Sequence, residues 1–430
     1  MKGNQHLIVI SVDALAARDL ATSRNDLPNI NQLIKTGTWV KAIDGIYPSL
    51  TYPSHTTIMT GRYPSEHGIV NNTKRQPNRR SPDWFWYQKS IQTKTLYGLA
   101  HDVGYSTASF LWPVTAGSEI DYNLAEIFPN RIWTSQTLVS LHGSSSYFLW
   151  QMNHKFGHLR NGIHQPELDN FITACAIDTI KTKQPNLTMI HLVGLDSMRH
   201  RFGVQSKEAN AALQRQDEHV GQIIQAVQSA GLADDTNIVL LGDHDQIDVT
   251  KMIRLNVAFR QAGWLRARRD GAVKHDWHVW AKSCDGSTYV YTHQFADIKN
   301  LQALITNVPG VAHVYTKQEA VSMGADPDCT FMVEADRGYY FTDEAKGSEI
   351  VLSVDDSSIG QPDRYRAVHG YSPDKANYAT TMVLNGPAII PNRQFANADL
   401  IDEAPTFARL LGLRLSHTLP GHPLDGVFKP

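Results

Sequence analysis

Short apolar runs rich in β-branched residues alternate along this chain with stretches whose apolar positions recur at helical spacing. That alternation predicts an α/β fold with a mostly parallel central sheet flanked by helices on both faces. The runs that read as central strands are residues 6–12, 189–195, 237–241 and, near the C-terminus, 380–384. Each of the first three is followed by an acidic residue, at once for Asp13 and Asp196 and after one glycine for Asp243. Ligands of open α/β sheets gather outside the carboxyl ends of the strands, so these aspartates mark one end of the sheet as a candidate site. Helices are predicted over 206–230, stopping at Gly231, and over 401–411, before Gly412, because a glycine just past a helix readily takes the conformation that ends it.

Residues 263–347 read differently. A tryptophan-rich start (Trp264, Trp277, Trp280) leads into a strand over 287–292, a helix over 297–306 and a strand over 312–315. The expectation is a smaller, cap-like α+β insertion in a catalytic core made of residues 1–262 and 348–430. Such an insertion would contribute a wall of the cleft and part of the specificity. Residues 72–83, rich in Asn, Arg, Pro and Ser, predict a surface loop.

Composition narrows the picture by exclusion. At 430 residues, 42% hydrophobic and 19% charged, the chain has the make-up of a globular protein large enough to enclose a water-excluding site. Forty Lys+Arg against 42 Asp+Glu leave a formal charge of −2. That balance argues against a general surface for a nucleic-acid polymer or an anionic membrane. The three cysteines, Cys175, Cys284 and Cys329, are far apart and form no CxxC pair, which excludes a thiolate zinc site and a disulfide framework. The apolar run 7–10 is too short for a signal-peptide core, and Asp13 interrupts it. No other stretch approaches the roughly 20 apolar residues needed to cross a bilayer. The expectation is a cytoplasmic protein with free thiols.

Five short segments carry candidate chemistry. Ser11-Val12-Asp13 ends a strand with a carboxylate, which by itself also suits the cap of a following helix. Asp196-Ser197-Met198-Arg199-His200 sets Asp and His four apart, on one face of a helical turn; the spacing suits one metal ion or a surface ion pair. Asp243-His244-Asp245 follows an apolar strand, where three polar residues need a polar destination. His369-Gly370-Tyr371 is unremarkable in isolation. The fifth segment runs Pro48-Ser49-Leu50-Thr51-Tyr52-Pro53-Ser54-His55 and onward to Gly68-Ile69-Val70-Asn71-Asn72. Pro53 fits the first turn of a helix, which places Thr51 at or just before its N-terminus, either as an N-cap or facing a phosphoryl group.

Taken in order, these segments resemble the nucleotide pyrophosphatase/phosphodiesterase branch of the alkaline phosphatase superfamily. The ending Ala404-Pro405-Thr406, Leu411-Gly412 and Pro420-Gly421-His422-Pro423-Leu424 is also similar to that superfamily. The resemblance implies an alkaline-phosphatase-like fold and two zinc ions, with other divalent metals such as manganese as substitutes. Asp196, His200 and His369 would hold one ion; Asp13, Asp243, His244 and the Thr51 oxygen would hold the other. Thr51 would be the nucleophile and Asn72 a donor to a non-bridging phosphoryl oxygen.

Elementary chemistry agrees with that assignment. Asp/His ligation without thiolate suits zinc, and three aspartates against two dications leave about +1 to attract a phosphate anion. Two ions about 4 Å apart suit an in-line displacement, and a threonine hydroxyl becomes a useful nucleophile when its pKa is lowered. The implied course has two steps: Thr51 attacks phosphorus as the alcohol leaves, and water then hydrolyses the phosphothreonine. The implied substrate is a small phosphate diester.

Three positions bear on specificity. Tyr52 matches the aromatic residue that nucleotide-binding members have after the nucleophile. His191 stands where they have a tyrosine, and Arg199 where the family has glycine. An Arg199 aimed into the cleft would favour a substrate with an extra negative charge; a solvent-facing one would not. Hydrolysis of a phosphonate C–P bond or of a monoester is the alternative these motifs leave open. A sulfatase is disfavoured, since those enzymes need a Cys or Ser at the nucleophile position. His55, His67 and Arg62 read as structural, holding the nucleophile's helix and loop. A non-catalytic metal-binding protein would have no need of Thr51.

Overall fold

The computed structural model describes residues 5–22, 25–130, 135–415 and 418–430. The strand His6–Val12 lies inside an eight-stranded sheet, parallel to Leu187–Leu192 on one side and Thr236–Leu241 on the other. Beyond Leu187–Leu192 come Thr107–Phe110 and Tyr122–Leu124, both added in parallel. Beyond Thr236–Leu241 comes Thr380–Asn385, antiparallel to both its neighbours, then Thr38–Asp44 and Arg393–Asp399. The sheet is thus mostly parallel, as the runs of apolar residues imply.

Both faces of the sheet are covered, and the period-2 geometry of a strand decides which residue goes where. Ile8, Ile10 and Val12 join one core with Ala212, Leu213 and Val220 of the helix Lys207–Ser229 and Ile172 and Ala176 of Glu167–Lys183. Leu7 and Val9 face the other way, onto Ile58 and Met59 of the helix Thr51–Thr60 and Phe407 and Ala408 of Glu403–Leu410. Each such buried aliphatic side chain contributes about 1.5–3 kcal/mol. Ser206 caps the helix Lys207–Ser229, its hydroxyl accepting the Ala209 N–H at 3.1 Å. The expected helix over 401–411 is shorter, because Leu400–Asp402 tighten into a 3₁₀ turn first.

One expected strand ends earlier than its sequence suggests. The apolar run continues to Leu195, but the strand stops at Leu192 and a helix, Gly194–Phe202, begins at once. Asp169 causes the change: its carboxylate accepts the Val193 and Gly194 N–H groups at 3.1 and 2.9 Å and so caps the helix. Asp196 therefore lies in the first turn of a helix, not at a strand end.

Between Thr236–Leu241 and Thr380–Asn385 the chain builds two smaller sheets. One is antiparallel and joins Val311–Thr316, Phe331–Ala335, Ser287–Thr292 and Val279–Cys284. The other gathers Gly338–Phe341, Val351–Ser353 and Ala367–Val368 on the strand Ile247–Ile253. They share a second apolar core that reaches from Ile247 to Tyr378 and includes Tyr47 and Leu50, just before the helix Thr51–Thr60. Among the described residues, no helix is long and apolar enough to cross a membrane.

Candidate active site

The site assembles at the carboxyl ends of the central strands. Asp13 follows His6–Val12, and Asp243 follows Thr236–Leu241 after a single glycine. Gly242 is needed there: a Cβ would fall 2.0 Å from the Leu15 carbonyl oxygen. The two strand ends are tied by the Ala14 N–H, which donates to Asp243 Oδ1 at 3.1 Å. Ala14 has a φ of 64°, a left-handed conformation that costs a non-glycine residue about 1–2 kcal/mol and persists only where its surroundings hold it.

Thr51 opens the helix Thr51–Thr60, every residue of which is buried. Asn72 reaches back across the fold so that its side-chain oxygen accepts the Tyr52 N–H at 2.9 Å. This cap leaves the amide nitrogen of Asn72 as its donor end. His55 braces the same turn, with Nδ1 2.8 Å from the Thr51 carbonyl and Nε2 2.9 Å from Ser11 Oγ. His67 meets Thr57 Oγ1 at 3.1 Å, and Arg62 pairs with Glu66.

His244 is the centre of one cluster. Its Nε2 lies 3.1 Å from Thr51 Oγ1 and 3.2 Å from both Asp13 Oδ1 and Asp243 Oδ2. The second cluster is Asp196, His200 and His369, whose donor atoms lie within 4.8 Å of one another; Asp13, Asp196 and His244 meet the same limit. Asp196 therefore stands between the two groups. The His244 and His369 rings stack at 3.9 Å and join them further. The structure thus brings Asp13, Thr51, Asp196, His200, Asp243, His244 and His369 into one place.

The orientation of the rings suits ligation. His200 Nδ1 lies 2.8 Å from the Ala367 carbonyl and His369 Nδ1 lies 3.1 Å from the Ser49 carbonyl. A carbonyl has no proton to give, so each Nδ1 carries the hydrogen, which leaves each Nε2 to present a lone pair to the cluster when the ring is neutral. His369 is placed with help from the second lobe: the Gly286 N–H donates to its carbonyl at 2.8 Å. Gly370, at φ 83°, lies so close to that lobe that a Cβ would sit 1.8 Å from the Cys284 carbonyl.

The electrostatics are unbalanced in a way a cation would correct. Asp13 Oδ1 and Asp243 Oδ2 are buried and accept no hydrogen bond. Burial, then Asp196 and Glu126, push the Asp13 carboxyl well above its usual range, and burial with Asp13 does the same to Asp243. His244 is held well below its usual value by burial and His369, and His369 is lowered to about 4 by burial and His200. Around Asp196 and His200 burial works against charge, but their mutual attraction at 3.3 Å outweighs it. His200 is pushed up to about 9 and Asp196 down. Buried carboxylate oxygens that accept no hydrogen bond, beside imidazoles held neutral, fit a divalent ion with nitrogen and oxygen ligands.

The residues expected to touch substrate are placed differently. Arg199 faces neither cleft nor solvent: it is 2% exposed, and its guanidinium donates to the Ala14 carbonyl and to Asp19 Oδ1. A buried guanidinium needs acceptors, and these two take its terminal nitrogens while Nε has no partner. His191 is likewise consumed within the protein, with Nε2 3.0 Å from Asp13 Oδ2 and Nδ1 3.1 Å from the Leu111 carbonyl. It braces Asp13 and forms no wall. Tyr52 is fully buried, its ring 5.2 Å from Trp84.

Two further participants have no motif to announce them. Gln246 donates to Asp196 Oδ1, and its only signal is its place after the Asp243–Asp245 run. Glu126 has none. Its carboxylate lies 4.0 Å from His191 Nδ1, and burial raises it to about 7 against the opposing pull of His191 and Tyr52.

Comparison with known proteins adds a separate observation. Residues 7–372 match the family described as type I phosphodiesterase / nucleotide pyrophosphatase. The venom phosphodiesterase of Macrovipera lebetinus is 27% identical over 259 residues, 57% of this chain and 26% of that protein. The human ectonucleotide pyrophosphatase/phosphodiesterase family member 1 is 27% identical over 262 residues, 58% of this chain and 24% of that protein. These matches span about a quarter of the relatives' own length. The human bis(5'-adenosyl)-triphosphatase ENPP4 is 22% identical over 437 aligned residues, 98% of this chain and 80% of that protein. Among solved structures, human ectonucleotide pyrophosphatase/phosphodiesterase 5 superimposes with a TM-score of 0.69 at 18% identity, covering 98% of each chain. An inactive murine form of that protein in complex with AMP gives 0.67, at 18% identity and again 98% of each. The fold is therefore alkaline-phosphatase-like.

Proposed function

This chain belongs to the type I phosphodiesterase / nucleotide pyrophosphatase family, and from that premise we propose that it hydrolyses small phosphate diesters with Thr51 as nucleophile. The observation that carries the reading is the position of the Thr51 hydroxyl. It lies at the start of a buried helix, 3.1 Å from His244 Nε2, beside two carboxylate oxygens, Asp13 Oδ1 and Asp243 Oδ2, that accept no hydrogen bond. A threonine that served only as an N-cap would have no need of that setting.

Asp196, His200 and His369 would hold one metal ion, and Asp13, Asp243, His244 and Thr51 the other, with Asp196 between them. Zinc fits this donor set, and manganese shares it. When bound, two such ions supply Lewis acidity for the phosphoryl oxygens and lower the pKa of a coordinated hydroxyl. The protein's own groups do the rest. Thr51 Oγ1 forms a bond to phosphorus while the P–O bond to the leaving alcohol breaks, which gives a phosphothreonine. Water then cleaves that ester, releases the phosphomonoester and restores Thr51. Asn72, held by the Tyr52 N–H, donates its amide hydrogens to a non-bridging oxygen. His55 fixes the first turn of the helix, so that the hydroxyl does not drift between the two steps.

The neighbouring proteins' names point to nucleotide-type diesters, and a nucleoside monophosphate is the ligand in the murine structure. With Arg199 bound to Asp19, the chain has no use for it in attracting a second anionic group. The partner is thus read as a small molecule, in keeping with a formal charge of only −2. Residues 263–347 are read as an insertion in the core formed by 1–262 and 348–430, because the strands between Val279 and Ala335 pair among themselves and supply the hairpin that bears on His369. A reducing, cytoplasmic setting is supported by three buried free thiols.

The test compares bis-p-nitrophenyl phosphate with p-nitrophenyl phosphate, using metal-stripped protein with and without added zinc. The expected result is zinc-dependent turnover that favours the diester and is lost in Thr51→Ala, which keeps much of its zinc. Preference for the monoester, or no turnover by folded, zinc-loaded protein, would overturn the reading and send the search to monoesters and phosphonates.

A further inference from the structure

Arg199 plays no part in the chemistry above, yet a long cation has been fitted between the two elements that carry the site. It sits on the helix Gly194–Phe202, three residues after Asp196 and immediately before His200. One guanidinium nitrogen donates to the Ala14 carbonyl, and the other to Asp19 Oδ1 at 2.6 Å. The second oxygen of Asp19 accepts the Ala16 N–H at 2.8 Å. Ala14, at φ 64°, has its own N–H held by Asp243 Oδ1. The turn after Asp13 is therefore gripped from both ends, by Asp243 on its amide side and by Arg199 on its carbonyl side.

We infer that Arg199 is a positioning residue that sets the spacing between the Asp13–Asp243–His244 cluster and the Asp196–His200–His369 cluster. The inference rests on the reading that these clusters bind metal. Two features make it more than a stabilising ion pair. The arginine shares a helical turn with Asp196 and His200, so a displacement of its guanidinium moves the backbone that carries both. It also grips Ala14, the positive-φ residue that follows Asp13 and whose N–H is bonded to Asp243. The planar fork matters as well. Two nitrogens serve two acceptors at fixed separation, which a lysine ammonium cannot reproduce.

The experiment uses the full chain with Arg199→Met, Arg199→Lys and Asp19→Asn. Hydrogen exchange of the segment 13–17 is first measured in metal-free protein, and zinc is then titrated by calorimetry. The expected result is faster exchange of the segment in Arg199→Met, and one of the two zinc ions bound about tenfold more weakly, the scale seen when partners of metal ligands are removed. Arg199→Lys should recover part of the loss. An arginine that only stabilised the fold would lower the melting temperature and leave both zinc affinities unchanged. Folded Arg199→Met with wild-type exchange, or with two wild-type zinc affinities, overturns the inference. Should Arg199→Met not fold, Asp19→Asn, which keeps the shape and removes the ionic partner, decides by the same two readings. Wild-type protein that bound no zinc would sink the metal reading separately, and the exchange comparison would still judge whether Arg199 holds the turn.

Discussion

His200 shows how far one pair can set the behaviour of this site. Burial alone would strip its proton, but Asp196 at 3.3 Å outweighs burial and raises it to about 9 in the metal-free fold. A raised value in the folded state means that the protonated ring stabilises the fold fully below its unfolded value of 6.5 and loses that contribution as pH rises through about 9. Asp13 and Asp243, raised in the same sense, also favour the metal-free fold more at low pH than at high. On the proposed reading zinc would compete with the His200 proton, so its binding would strengthen over the same window. Thermal unfolding with EDTA and with zinc should therefore show a zinc-induced rise in Tm that grows from pH 6.5 towards 9. A rise that stayed flat or shrank would contradict the placement of His200 as a ligand. The residue types at this scale were legible only as a set: each Asp and His of the two clusters sits in a short segment that is ambiguous alone and informative in its order with the others. Arg199 and His191 were not, because whether such a side chain faces a ligand depends on acceptors far away in sequence.

Among the elements, the helix Gly194–Phe202 concentrates the risk. It supplies Asp196 and His200, and its start is held by Asp169, a residue 24 and 25 positions upstream of the two amides it caps. Gln165 and Gln216 hold that carboxylate in turn, at 2.9 and 2.7 Å. Asp169→Ala leaves buried N–H groups unsatisfied, at a cost of about 1–3 kcal/mol. The expected outcome is a lower Tm together with a fall in kcat/KM on the diester, because the loosened turn carries Asp196. Thermal unfolding and steady-state kinetics on the same preparation check it, and unchanged kinetics in a destabilised variant would separate the cap from the site. The strand boundary is hidden in the sequence for the same reason. Leu192-Val193-Gly194-Leu195 is apolar enough to continue a strand, and the carboxylate that converts it to a helix lies elsewhere.

At the scale of the whole molecule, the site lies where two cores meet. The strands of the large sheet present Asp13 and Asp243, while His369 returns from the second lobe against the hairpin Cys284–Ser287. Gly370→Ala would drive a Cβ to 1.8 Å from the Cys284 carbonyl at a φ of 83°, so the hairpin must move away from His369. Weaker zinc binding with the large sheet intact is expected, read by calorimetry and by far-UV circular dichroism; native zinc affinity in Gly370→Ala would show that the lobe does not position this ligand. The sequence by itself determined the α/β class and the central strands, because periodicity is a local property, while the proposed donors came from the resemblance that the order of the motifs carries. Only the tertiary structure decided that Asp196 stands between two clusters, that Arg199 is tied to Asp19 and that His191 braces Asp13. Most buried polar groups find a partner within the protein, and which ones remain free for a ligand is known only when segments hundreds of residues apart have met.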